Sequence, residues 1–185
     1  MLAVALMFPT TMNRLIQITT LLLFPIFTQV QAADKGPETF KVNDLTFSRP
    51  AEWGWQQPTS RMRKAQLSVP GKDGAADVVF FYFGPGGAGG VQANVDRWIG
   101  QFKKLNDKDV SSKKAGGTNV TYVEAEGTFM VGPPFGEKVP KEGYGLLGAI
   151  IEAKGGAIFI KMTGPEKTVK KAKGDFVKMT EKALK

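Results

Sequence analysis

The apolar and polar positions of this chain fall into short alternating runs, one unbroken apolar block and two stretches of helical period. The best-defined block is Val78–Phe83, followed by the glycine-rich Gly84–Gly90 and a periodic segment from Val91 to Leu105. Consecutive apolar residues without alternation describe a strand covered on both faces. After the glycines, Val91, Val95, Trp98, Ile99, Phe102 and Leu105 recur with helical spacing. At about 100° per residue they form one stripe roughly 120° wide, which predicts a helix over Val91–Leu105 with that stripe on the core.

The flanking segments are read the same way. Phe40, Val42, Leu45 and Phe47 surround Asn43-Asp44, so Thr39–Arg49 is a hairpin that pairs Phe40 with Phe47 and Val42 with Leu45. Pro50–Arg63 is a loop. Ala65, Leu67 and Val69 alternate with Gln66 and Ser68, a half-buried strand ended by Pro70-Gly71. Asn106–Gly117 is polar and rich in lysine, which predicts a surface connection, and Thr118–Met130 is strand-like. Gly132–Gly143, dense in proline and glycine, predicts an excursion without regular structure. Tyr144–Glu152 and Ala157–Thr163 are apolar strands joined through Lys154-Gly155-Gly156, and Gly164-Pro165-Glu166 opens a terminal helix. Covered strands joined by hairpin-length turns imply an α+β fold, an antiparallel sheet sandwiched between helices (α/β/α).

Composition adds a compartment. Residues 1–32 carry one charge, Arg14, then the apolar run Leu15–Phe27 and the small-residue site Val30-Gln31-Ala32. This is the pattern of a cleaved export signal, which Met12 alone is sufficient to open. The run is too short to cross a bilayer, which takes roughly 20 residues. Export to the periplasm or beyond leaves one globular domain over residues 33–185, and losing Arg14 turns the formal +8 into +7. There is no cysteine and no histidine in the 185 residues. Disulfides, thiolate metal sites, Ser-His-Asp triads and zincin chemistry are therefore excluded. Carboxylate, lysine or tyrosine catalysis remains, or none, and a non-enzyme is expected.

Four features are candidates for chemistry. Gly84, Gly86 and Gly89 spell G-x-G-x-x-G, but Pro85 interrupts it and no Lys-Ser/Thr follows Gly89. A dinucleotide or P-loop site needs both the parallel strand-helix context and those residues, so no cofactor is expected. Gly86, Gly87, Gly89 and Gly90 remain a candidate loop for a simple anion at the helix amino end. Trp53 and Trp55, with Arg61 and Arg63, form the residue mix that interface hot spots favour, or else the tryptophans cap the core. Lys167, Lys171, Lys178, Lys182 and Lys185 share one side of the terminal helix, opposite Val169, Ala172, Phe176, Met179 and Ala183. That side is a solvated face or a contact for an acidic partner or membrane surface. Nucleic acid is not expected, because no aromatic interleaves with those lysines. Glu124 and Glu126, two apart on a strand, share a face that suits a weak calcium contact, an acid/base pair or open water.

Asn94-Val95-Asp96-Arg97-Trp98-Ile99-Gly100-Gln101-Phe102, with Met62, Ala65 and Leu67-Ser68-Val69-Pro70, resembles a group of exported bacterial proteins of unknown function. The wider order of elements is similar to the PsbP-like superfamily, which includes an extrinsic photosystem II subunit and Ran-binding relatives. The resemblance implies an α/β/α sandwich that binds other proteins without catalysis. Histidines that bind metal in some of those relatives have no counterpart here. The expected function is an exported accessory protein with a protein partner; the alternative is a small-anion binder using the glycine loop.

Overall fold

The computed structural model describes residues 36–133 and 136–185. The expected export signal lies outside the described residues. The chain begins with the hairpin β1 (Thr39–Val42) and β2 (Leu45–Ser48), in the register expected, Phe40 against Phe47 and Val42 against Leu45. Asn43 turns it with φ 50°, a conformation asparagine tolerates. There follow β3 (Gly54–Gln56), β4 (Arg63–Val69), β5 (Ala76–Tyr82), α1 (Val91–Ile99), β6 (Phe102–Ala115), β7 (Thr118–Val131), β8 (Val139–Ile151), β9 (Ile158–Pro165) and α2 (Glu166–Lys182).

Strands β3 to β9 form one antiparallel sheet in the order β3-β4-β5-β9-β8-β7-β6. Alternation sends successive side chains to opposite faces. One face carries Leu67, Phe80, Leu147, Ile151, Ile160 and Met162, covered by Val169, Ala172, Phe176 and Met179 of α2 and by the β1–β2 hairpin. The other face carries Val123, Phe129, Leu146, Ile150 and Phe159, against Val95 and Trp98 of α1. Among the described residues the fold is therefore α+β, with one large antiparallel sheet and two helices.

Besides β3, which falls inside the expected loop Pro50–Arg63 and pairs with β4, three expectations need correction. The helix stops at Ile99, and Phe102 and Leu105 belong to β6. The N–H of Gly100 closes the last turn on Asp96 O, and the N–H of Met130 then captures the carbonyl of Gln101 at 2.9 Å, drawing the chain into the sheet. Phe102 keeps a helix-like spacing by coincidence; its ring meets Phe129 at 5.1 Å across the strand pair. Second, the polar connection Asn106–Gly117 is mostly strand. β6 and β7 join through Gly116-Gly117, both at positive φ (54° and 78°), a two-residue turn whose twist suits a hairpin. Third, the proline-glycine excursion is shorter than predicted, because β8 already begins at Val139, opposite Val131. Pro140 is tolerated there because β9 pairs with β8 only from Tyr144 onward.

Candidate functional site: a valley beside the terminal helix

The loop after β2 is shaped by a buried cation. Arg49 is 9% exposed; its guanidinium donates to the carbonyls of Trp53, Pro37 and Gly36. A charge in such a place is tolerated only when its donors are used. Those bonds fold Pro50–Trp53 back so that the Trp53 indole enters the core, 3% exposed. Trp55, half-buried on β3, lies 5.4 Å from Phe40 and packs against the same core.

The contact surface expected from Trp53, Trp55, Arg61 and Arg63 is therefore not assembled. Trp53 is core, and Trp55 faces α2 through its pairing with Leu67. Arg63 points to the opposite face of the sheet, donating to Gln66 Oε1 at 2.9 Å and pairing with Asp77 at 3.5 Å. Arg61 is exposed in the loop. Tryptophans flanking one glycine look like a surface pair in sequence, but strand alternation and the Arg49 anchor turn both inward.

A depression is left where this loop meets α2. Its first hollow, of about 480 Å³, has Trp53, Val69 and Ala172 in its floor and Glu52, Lys72, Lys171 and Asp175 on its rim. A second, of about 350 Å³, shares Glu52 and Asp175 with it and runs on to Lys178 and Lys182. A third, of about 450 Å³, shares Arg49, Ala51 and Lys182 with the second. Together they make a valley along one side of α2. Thr168 fixes its far end, buried and donating to Gly74 O at 2.8 Å.

Three of the five lysines read from the sequence border this valley. Among the described residues, no ion pair involves Lys171, Lys178 or Lys182. Lys167 reaches Asp73 at 3.6 Å. The opposite side of α2 is buried as its apolar pattern required: Phe176 is fully enclosed and Val169, Ala172 and Met179 nearly so.

Glu124 and Glu126 share the α2 face of β7, where their carboxylates pair with Lys173 and Lys170 at 2.6 Å each. Lys170 also reaches Glu166 at 2.6 Å. The Glu126 carboxylate, then that of Glu166, holds the Lys170 ammonium well above the ordinary lysine range, and the bond from Lys170 holds Glu166 below the carboxylate range. These pairs tie β7 to the helix.

Gly86 and Gly89 take positive φ (69° and 78°), as a tight turn from strand to helix needs. The Asn94 side-chain amide donates to the carbonyls of Ala88 and Gly90, each at 2.9 Å, locking loop and helix together. Gly87 donates back to Gly84 O at 3.2 Å. Gly90 is the N-cap, and no side chain caps the first turn of α1. A second, half-buried cation lies near this helix. Lys161 of β9 donates to Gln101 Oε1 at 3.0 Å, and burial pushes its amine down to about 8.

No protein-family model matches the chain, and neither does any curated protein. Solved structures do. One is the solution structure of cyanobacterial PsbP (CyanoP) from Synechocystis sp. PCC 6803, similar at a TM-score of 0.48 and 12% identity over 77% of this chain and 88% of that one. Another is the crystal structure of a Pseudomonas aeruginosa protein of unknown function, with a TM-score of 0.44 and 12% identity over 77% of this chain and 92% of that one. At 12% identity neither assigns a site residue.

Proposed function

We propose that the chain is an exported accessory protein, an α/β/α sandwich that acts in the periplasm or outside the cell by holding an acidic segment of a partner protein in the valley beside α2. The observation that carries this reading is the row of unpaired cations, Lys171, Lys178 and Lys182, bordering hollows that begin on the Trp53 indole. Apolar floors with a few charged groups at the rim suit a recognition site. Lys72, Lys171, Lys178 and Lys182 along the wall outnumber the carboxylates Glu38, Glu52 and Asp175, and a net positive wall selects an acidic partner and speeds encounter. A chain without histidine or cysteine has little else with which to perform chemistry.

Crosslinked capture from the native envelope tests this. The unaltered protein should retain one dominant companion, and a Lys171→Glu, Lys178→Glu variant should lose most of it, with Lys103→Glu on the far sheet edge as the neutral control. Equal capture by all three proteins refutes the valley as the contact. The glycine loop supports a second reading, a small-anion site at the uncapped amino end of α1, formed by Gly86, Gly87, Gly89 and Gly90. Thermal shift with phosphate decides it: no stabilisation at millimolar phosphate removes that reading.

A further inference from the structure

Strand β6 is an open sheet edge of unusual length. Among the described residues it pairs only with β7, and every residue from Lys103 to Lys114 is exposed. An unpaired edge presents a row of free N–H and C=O groups, which proteins normally blunt with charge or bulges. The bulges lie at the start of the strand, between Phe102 and Lys104 and between Leu105 and Asp107; from Asp107 to Ala115 the register with β7 is unbroken. The regular part of the edge therefore carries Asp107, Lys108, Asp109, Val110, Ser111, Ser112 and Lys113.

That run is complementary to itself in one antiparallel register. A two-fold axis normal to the sheet reverses strand direction and keeps each side chain on its own face, so residues paired across it are both even-numbered or both odd. Centred on Val110, it opposes Val110 to Val110, Asp109 to Ser111, Lys108 to Ser112 and Asp107 to Lys113. The dimer thus holds two cross-strand ion pairs, each Lys113 sharing its ammonium with Glu181 of its own chain, and like charges never face each other. Val110, 44% exposed in one chain, is covered by its own copy. Registers centred on Asp107, Lys108, Asp109 or Lys113 set like charges on the axis. Centring on Ser111 opposes Lys108 to Lys114, and centring on Ser112 sets Val110 against Lys114 without forming an ion pair.

We infer that β6 is a self-association edge, on which a second copy of this chain pairs antiparallel about Val110 to join two seven-stranded sheets into one. A single strand pair buries less than a stable obligate interface does, so association depends on concentration. The charged flanks select this register, and the lysines that block other sheet edges permit this one.

The absence of cysteine makes the test direct. Opposed residues in an antiparallel pair have Cα atoms about 4.5–5.5 Å apart, inside the span of about 4.4–6.8 Å that a disulfide bridges. In the proposed register Val110→Cys lies on the axis, while Lys108→Cys and Ser112→Cys each stand about 13 Å from their copies. Under mild oxidation Val110→Cys should crosslink to a dimer and the other two should stay monomeric. Sedimentation of the unaltered protein should show average mass rising from one chain towards two with concentration, and Val110→Lys should abolish the rise. Monomer at every concentration overturns the inference, as does crosslinking that is equal at the three positions or strongest at 108 or 112.

Discussion

Gly148 tests how α1 is held on the sheet. It lies in β8 between Val123 and Lys161, and a Cβ added there would sit 2.2 Å from Cζ3 and 2.6 Å from Cε3 of Trp98, where ordinary contact begins at 3.4 Å. The indole would have to retreat by at least about 1.2 Å, the difference between those two distances. It has little room, being 6% exposed and set edge-on to Phe159 with ring centres 6.5 Å apart. Overpacking of this kind costs about 1–3 kcal/mol. Opposing it, replacing glycine by alanine in unstrained backbone stabilises by about 0.4–1 kcal/mol through the unfolded chain. Gly148→Ala should therefore lose about 1–2 kcal/mol net, read as a lower urea midpoint at unchanged slope by far-ultraviolet circular dichroism. In a Trp98→Leu background the clash is gone, and the same substitution should become neutral or slightly stabilising. An equal penalty in both backgrounds, or none in the first, refutes the view that Trp98 seats α1 on a glycine.

Three further outcomes follow from the buried groups. Burial, reinforced by Arg63 and opposed by Asp77, lowers Lys161 to about 8, whereas an unfolded lysine titrates near about 10.4. Between about pH 8 and about pH 10 the unfolded chain keeps a proton that the native one has shed, so stability should rise with pH by up to about 1.4 kcal/mol per unit. Lys161→Met should flatten that rise in urea midpoints; a slope that survives would place its origin elsewhere. Above that window Tyr122 opposes it, since burial and then the Glu181 charge hold its phenol above the ordinary tyrosine range. Arg49→Met leaves the carbonyls of Trp53 and Pro37 without their donor and should cost about 3 kcal/mol by urea denaturation. Trp53→Ala should cost about 3–5 kcal/mol, with a smaller loss at half-buried Trp55; near-wild-type stability for both would return them to the surface.

What the sequence showed and what it hid have a common cause. Strands that bury a face announce themselves, as β1, β2, β4 and β5 do, because alternation or an apolar run is the imprint of a core. β6 buries almost nothing, so no hydrophobic pattern marks it; β7 imposes its conformation through the backbone. The Gly116-Gly117 turn was its one local sign. The helix was overextended because Phe102 and Leu105 continue a spacing of 3.6 by chance, whereas Gly100 was the true stop. At the site, the lysine side of α2 was legible from periodicity alone. The valley it borders was not, because that depends on Arg49, read only as the end of a hairpin, reaching across the loop to the Trp53 carbonyl.

The order of strands also bears on how the domain assembles. β3-β4-β5 and β6-β7-β8-β9 are two meanders in which each strand lies beside its successor in sequence, and they meet only where β5 pairs with β9. Each can zip from its own turns at small entropic cost, while the seam waits for a far longer closure. The chain passes from one meander to the other through the glycine turn, so a nick between Pro85 and Gly89 leaves both halves whole and cuts only their tether. Two such fragments mixed together are expected to find one another along the line from Asp77 to Tyr82, as complementary pieces rather than debris.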